Sequence, residues 1–347
     1  MTTPIRPAVR KMAGYAPGEQ WNDPAVVKLN TNECPYPPSP RVADAVRAAL
    51  TADNLRKYPQ PLGDTFRRAA ADVYGIDPDM ILPGNGSDDL LTILTRAFVP
   101  EGGLVASPTP SYLLYKTLAD IQGARFEAVP FAADWQLPDP WPLPDADLTF
   151  LPNPNSPSGT LVRLDAVRRL AGQLRGPLVL DEAYADFAEW NGLGLVGAVP
   201  NVIVTRSFSK YYALAGVRFG FAVAPAEVVR ELNKVKDSYN CDVLSLAAAT
   251  AAVGDQAYYA DVRSRVLATR GRLAVALIDL GFEVTPSQAN FVWCRRADRP
   301  LKPIADALKE RKILVRYMSY PSGDGLRISV GTPIEIEKLL AALREIV

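Results

Sequence analysis

Between residues 104 and 223 short apolar runs alternate with longer stretches in which apolar side chains recur every three to four positions. The runs at 104–107, 148–151, 178–180, 202–205 and 219–223 are rich in Val, Leu, Ile and Phe and too short for helices, so they read as strands. The amphipathic stretches at 88–98, 112–122 and 164–174 read as helices between them. This alternation predicts an α/β fold, a mostly parallel sheet covered by helices on both faces. Helical patterns at 41–50 and 64–74 come first, and the loop Leu82-Pro-Gly84-Asn-Gly86-Ser87-Asp88 leads into the helix at 88–98. The first forty residues, rich in Pro, Gly and Asn, predict an extended arm.

After Ala224 the pattern changes. Helices are expected at 227–239, 244–252, 258–280 and 302–312 and from residue 334, and strands at 283–285, 291–294, 313–317 and 326–330. This describes a smaller α+β unit. The expected division is an arm over 1–40, a large domain over 41–245 and a small C-terminal domain over 246–347.

Composition narrows the function. The 347 residues are 48% hydrophobic and 22% charged, with 38 basic residues balanced by 38 acidic ones. Without a charge block, nucleic acid and anionic membranes are poor partners. No apolar run reaches the length of a membrane span, and Met1-Thr-Thr-Pro-Ile-Arg-Pro7 lacks the apolar core of a signal peptide. The scattered Cys34, Cys241 and Cys294 argue for a reducing cytoplasm, not for a disulfide framework or a cysteine zinc site. The chain has no histidine. That removes Ser-His-Asp and Cys-His catalysis and His-ligated zinc, leaving Lys, Tyr, a carboxylate or a cofactor to move protons.

Ser207-Phe208-Ser209-Lys210 follows the apolar run at 202–205, and Arg218 comes eight residues after the lysine. An amine beside two hydroxyls and a guanidinium suits a phosphorylated aldehyde: the lysine forms a Schiff base while Ser207, Ser209 and Arg218 hold the phosphate. Taken alone, the same string also fits a surface lysine after a strand. Gly84-Asn-Gly86-Ser87-Asp88 would surround an anion with backbone N–H groups and a helix N-terminus, or form an ordinary capped turn. Asp181, ending the strand in Leu178-Val-Leu-Asp181-Glu-Ala-Tyr184, is placed to keep a pyridine nitrogen protonated, or to cap the strand or bind a metal. Tyr184 can reach a ring oxygen, and so can Asn155 from the rigid loop Asn153-Pro-Asn155-Ser-Pro. Arg316 and Arg327, in otherwise apolar strands, call for an anion: a substrate carboxylate or a structural ion pair. Gly192-Leu-Gly194-Leu-Val-Gly197 matches a dinucleotide-binding string but precedes a strand, so it reads as a flexible loop.

The order of these parts resembles that of the fold-type I pyridoxal-phosphate aminotransferases, and more narrowly the histidinol-phosphate aminotransferase family. The likeness covers nearly the whole chain. It includes Gly14-Tyr15-Ala-Pro-Gly18, Lys28-Leu-Asn-Thr-Asn-Glu33, Arg56-Lys-Tyr58-Pro, Asn85-Gly-Ser-Asp88, Asp181-Glu-Ala-Tyr184, Ala213-Leu-Ala-Gly-Val-Arg218 and Leu326-Arg-Ile-Ser-Val-Gly331.

The resemblance implies a large domain with a seven-stranded, mostly parallel sheet, a smaller α+β domain, the cofactor pyridoxal 5'-phosphate and a cytoplasmic homodimer. Lys210 would carry the cofactor and move the substrate's α-proton, and Asp181 would pair with the ring nitrogen. Asn155 and Tyr184 would hold the ring oxygen, and Tyr112 would stack on the ring. Ser87, Asp88, Ser207, Ser209 and Arg218 would form the phosphate cup. Arg327 would bind the α-carboxylate, and Tyr15, Arg316 and Tyr58 would reach the far end of the substrate, Tyr58 from the other subunit. The implied reaction is amino transfer between glutamate/2-oxoglutarate and a phosphorylated imidazole amino compound. Alternatives are an aminotransferase for aromatic or other amino acids, a phospho-amino-acid decarboxylase with the same cofactor, and a non-catalytic binding protein. Two positions depart from the family's pattern: Cys34 replaces an Asn and Asp89 a Glu, both expected beside the site.

Overall fold

The computed structural model describes residues 4–12, 14, 18–321 and 323–347. Among them are twelve strands. They are β1 (Val27–Leu29), β2 (Ile81–Gly84), β3 (Leu104–Thr109), β4 (Arg125–Pro130), β5 (Leu148–Pro152), β6 (Leu178–Asp181), β7 (Val202–Ser207), β8 (Gly220–Val223), β9 (Glu283–Thr285), β10 (Phe291–Arg295), β11 (Ile313–Tyr320) and β12 (Gly323–Ser329).

Seven form one sheet in the order β2-β8-β7-β6-β5-β3-β4. Only β8 runs antiparallel to its neighbours. The central strands are apolar on both faces because both are covered. Leu178, Leu180, Val202 and Val204 enter one core, while Val179 and Ile203 enter the other. That is why these segments read as continuous apolar runs and not as alternations.

The other sheet has the order β1-β11-β12-β10-β9, antiparallel except that β1 lies parallel to β11. It encloses a separate core that includes Leu29, Ile313, Leu326 and Ile328. The 24-residue helix Gln256–Asp279 belongs to both parts. Tyr259, Val262 and Val266 pack into the core of the large sheet, and Leu273 and Leu277 into that of the small one. Its length of about 36 Å lets it span both. No helix among the described residues is long and apolar enough to cross a membrane.

Several elements differ from the expectation. Val27–Leu29, in the presumed arm, is a strand: three residues are too few to show a period, and its pairing with β11 defines it. β2 lies where the sequence reads as loop, since Pro83 and Gly84 occupy half of it. β4 escaped because it is an edge strand with only Val129 buried. The helix expected over 227–239 ends at Leu232. The chain beyond turns so that Asn240 Nδ2 donates to the Pro83 carbonyl (3.1 Å) and to Asp89 (3.2 Å).

Candidate active site

Parallel pairing brings the carboxyl ends of β3, β5, β6 and β7 to one edge of the large sheet, where such sheets place ligands. A cleft of about 350 Å³ opens there, walled on its other side by β11 and β12 of the small sheet. Ser87, Asp88, Tyr112, Asp181, Tyr184, Ser207, Ser209, Lys210, Arg218, Arg316 and Arg327 all line it. Sequence positions as distant as 87 and 327 thus meet in one space.

Lys210 Nζ donates to the Thr31 carbonyl at 2.9 Å and lies 5.9 Å from the centre of the Tyr184 ring. Burial, reinforced by the nearby Arg327 guanidinium, lowers the lysine to about 8. A lysine so shifted is available as an uncharged amine within reach of neutral pH, which nucleophilic attachment needs.

Asp181 ends β6 and is 6% exposed. Burial raises its carboxyl to about 6. Tyr115 opposes this by donating to Oδ2 at 2.7 Å, and the Ala183 N–H donates to Oδ1 at 3.3 Å. The Tyr115 ring is itself fully buried, stacked on Phe150 at 4.7 Å. Its role went unseen in the sequence, because a tyrosine on the apolar face of a helix looks like core. The only hint was its spacing of three from Tyr112.

The anion-binding parts come from two loops. Helix Ser87–Phe98 begins directly after Gly86, whose φ of +85° favours glycine. A Cβ on Gly86 would lie 2.8 Å from Arg218 Nη2, so the guanidinium and the loop share this space. Arg218, itself at φ +56°, donates through Nη1 to Ser209 Oγ (3.1 Å) and the Ala215 carbonyl (3.3 Å), and its Nη2 lies 3.7 Å from Asp88. The Ser209 N–H donates to Ser207 Oγ at 3.2 Å. Asp89 lies under the loop, not in the cleft, accepting from the Asn85 N–H at 2.9 Å. Cys34 is half-buried and also does not line the cleft.

Gly220 of β8 is the contact that lets the two loops approach. A Cβ there would sit 2.7 Å from the Arg206 carbonyl, 2.8 Å from the Ser87 nitrogen and 3.0 Å from the Gly86 carbonyl carbon. All three are backbone atoms and cannot rotate away. Gly220→Ala is therefore expected to destabilise the protein by about 1–3 kcal/mol. Urea denaturation checks this, and an unchanged midpoint would show that the loop gives way freely.

Arg316 and Arg327 face each other directly across β11 and β12. Arg327 Nη1 donates to Ser156 Oγ (2.9 Å) and Nη2 to the Asn30 carbonyl (3.1 Å). Two adjacent guanidinium groups concentrate positive charge where a carboxylate or phosphate gains most from it.

Three expected residues are placed otherwise. Asn155 is fully buried behind Pro154 and Ser156. Both of its amide hydrogens are engaged, with the Pro110 carbonyl (3.2 Å) and Ser158 Oγ (2.8 Å), while its Oδ1 has no partner. Tyr58 is 80% exposed, stacked on Tyr239 at 4.4 Å, and does not line this chain's cleft. Tyr15 lies outside the described residues. The Gly192–Gly197 string contains a short turn, Leu193–Leu195, and leads to β7 and not to a helix.

A family model described as aminotransferase class I and II matches residues 24–343. A histidinol-phosphate aminotransferase of Rhodopirellula baltica is 53% identical over 336 residues, covering 96% of this chain and 92% of that protein. One from Syntrophotalea carbinolica is 48% identical, covering 99% of each. The crystal structure of histidinol-phosphate aminotransferase from Sinorhizobium meliloti in complex with pyridoxal-5'-phosphate superposes with a TM-score of 0.88 at 26% identity, covering 100% of this chain and 99% of that one.

Proposed function

This chain belongs to the aminotransferase class I and II family and has the fold-type I architecture, and from that premise we propose that it is a pyridoxal-phosphate-dependent enzyme. It transfers the amino group of L-histidinol phosphate to 2-oxoglutarate, giving imidazole-acetol phosphate and L-glutamate, a step of histidine biosynthesis. One observation carries the reading: Lys210, Asp181, the two-loop anion cup and the facing Arg316 and Arg327 line a single cleft. The substrate comes from the names of relatives at 48% and 53% identity over almost the full length.

The residues present suit the cofactor's chemistry. Hydroxyls, a guanidinium and a helix N-terminus match a phosphate, with Ser87, Asp88, Ser207, Ser209 and Arg218 as the cup. Asp181 would pair with the ring nitrogen and Tyr112 would stack on the ring. Tyr184 would hold the ring oxygen, and Asn155 would join it by giving up its bond to the Pro110 carbonyl. When bound, the cofactor supplies an electron sink for the substrate's α-carbon. Lys210, lowered to about 8, takes the α-proton and returns it.

Arg327 and Arg316 receive a carboxylate or a phosphate, because glutamate carries the first and histidinol phosphate the second. Tyr15 contributes at the same end. Tyr58 serves the cleft of a second copy in a homodimer. The exposed Leu55, Tyr58, Leu62 and Tyr239 supply an apolar surface for that contact. We place the protein in the cytoplasm, with an arm over 1–40, a cofactor-binding domain over 41–245 and a small domain over 246–347.

Both half-reactions measured for Arg316→Ala test the assignment. Loss of one charge-assisted contact is expected to lower kcat/KM by about 10–100-fold with glutamate and with histidinol phosphate alike. A loss confined to glutamate overturns the shared role. A wild-type preference for aromatic amino donors over histidinol phosphate overturns the substrate.

A further inference from the structure

Asn32 is 1% exposed and has φ +56°, a left-handed conformation that asparagine tolerates better than most side chains. Its groups are committed to three separate parts of the chain. The backbone N–H donates to Ser329 Oγ (2.8 Å), and Oδ1 accepts from the same hydroxyl (3.0 Å). The carbonyl accepts from Asn290 Nδ2 (3.0 Å), and Nδ2 donates to Tyr184 Oη (3.0 Å).

The bond from the Ser329 hydroxyl to Asn32 Oδ1 sets the direction of the last one. Ser329 Oγ already accepts from a backbone N–H, and its single hydrogen goes to Asn32 Oδ1. The oxygen end of the amide is thereby held toward Ser329 and the NH₂ end toward Tyr184. Tyr184 Oη accepts there, so its own hydrogen is left for another acceptor. Burial keeps the phenol above its ordinary value, so that hydrogen is present at working pH. Tyr184 lines the cleft.

We propose that Asn32 is a positioning residue, which by donating to Tyr184 directs the phenol to donate to the ring oxygen of the bound cofactor. This rests on the cofactor reading given above. Ser329 is two residues beyond Arg327 on β12, so the strand that offers the substrate-binding arginine also sets this orientation.

Asn32→Asp separates position from direction. The carboxylate keeps the shape, tolerates the left-handed backbone and retains both Ser329 bonds. It presents an acceptor to Tyr184, so the phenol turns its hydrogen inward. A hydrogen bond donated to the ring oxygen draws off negative charge and loosens the proton shared with the lysine-bound nitrogen. The charged groups facing Tyr184 are Arg327, Asp181, Asp88 and Lys210; the substitution replaces none of them but adds a charge beside them, which the Tyr184→Phe background controls for.

In pyridoxal-phosphate-loaded protein, Asn32→Asp is expected to raise the titration midpoint of the visible absorption band by about one pH unit. In a Tyr184→Phe background the same substitution is expected to move it by less than about a third of that. An equal shift in both backgrounds overturns the proposal, because the carboxylate would then act directly. An unshifted midpoint in Asn32→Asp also overturns it. Should that variant not fold, Ser329→Ala, which releases the amide to turn, is expected to raise the midpoint, and no change overturns the proposal. A wild-type protein with no visible band removes the cofactor reading and this inference together, whereas a wild-type band indifferent to Asn32 removes this inference alone.

Discussion

Replacing Lys210 by alanine is expected to reduce transamination about 10⁴-fold or more, while the protein still folds. A positioned general base contributes about 10²–10⁴-fold, and in the proposed function this residue is also the point of cofactor attachment. No second amine lines the cleft among the described residues. The chain has no histidine, and the other basic side chains there, Arg218, Arg316 and Arg327, do not deprotonate. Folding should survive because the amine donates a hydrogen bond to the Thr31 carbonyl, which water can replace, and its charge is disfavoured where it sits. Single-turnover kinetics with histidinol phosphate, together with the visible spectrum, measure the effect. Activity within tenfold of wild type would show that another group removes the α-proton.

Asp181→Asn should act in opposite directions on activity and on the stability of the cofactor-free protein. Activity is expected to fall about 10³-fold, because an amide cannot hold the ring nitrogen protonated by charge and the electron sink weakens. Stability should rise. Burial raises the carboxyl to about 6, against an ordinary value of 3.8. A carboxyl shifted upward by folding stabilises the fold below its unfolded value and loses that contribution as pH rises through the folded one. At pH 7.5 the charged Asp181 therefore costs up to about 3 kcal/mol, at 1.36 kcal/mol per unit. The amide removes that cost and keeps one acceptor for Tyr115. The gain should shrink as pH falls through 6 and vanish below about 4. Urea denaturation of both cofactor-free proteins across this range checks the sign. An Asn variant less stable than wild type at pH 7.5 would show that the Tyr115 and Ala183 bonds outweigh desolvation.

Lys210 and Asp181 are both displaced toward their neutral forms by burial. A bound group that neutralises them recovers what folding spent on them.

The central strands were legible because they are apolar on both sides, so each was a dense run whatever its neighbours. The cofactor-type residues were legible because each closes or follows such a run: Asp181 ends β6, and Ser207, Ser209 and Lys210 follow from the end of β7. β1, β2 and β4 were not. They are short or exposed, and their backbone partners define them more than their side-chain period does. Tyr115 was hidden for a related reason. Periodicity placed it facing the core but said nothing of the carboxylate waiting there.

The sequence by itself determined the chemistry that is possible. Zero histidines, one lysine after two serines, a strand-ending aspartate and two strand arginines exclude most catalytic machinery and leave amine and cofactor chemistry. Tertiary structure alone decided which of these groups meet. It set Arg316 directly opposite Arg327 and exposed Tyr58 away from its own cleft. It also joined Asn32 to Ser329 across 297 residues, and so aimed the Tyr184 phenol. The reason is physical. A local pattern records which face of a segment avoids water, whereas a hydrogen-bond direction depends on the full set of donors and acceptors brought within 3 Å, and those come from strands whose register no local period encodes.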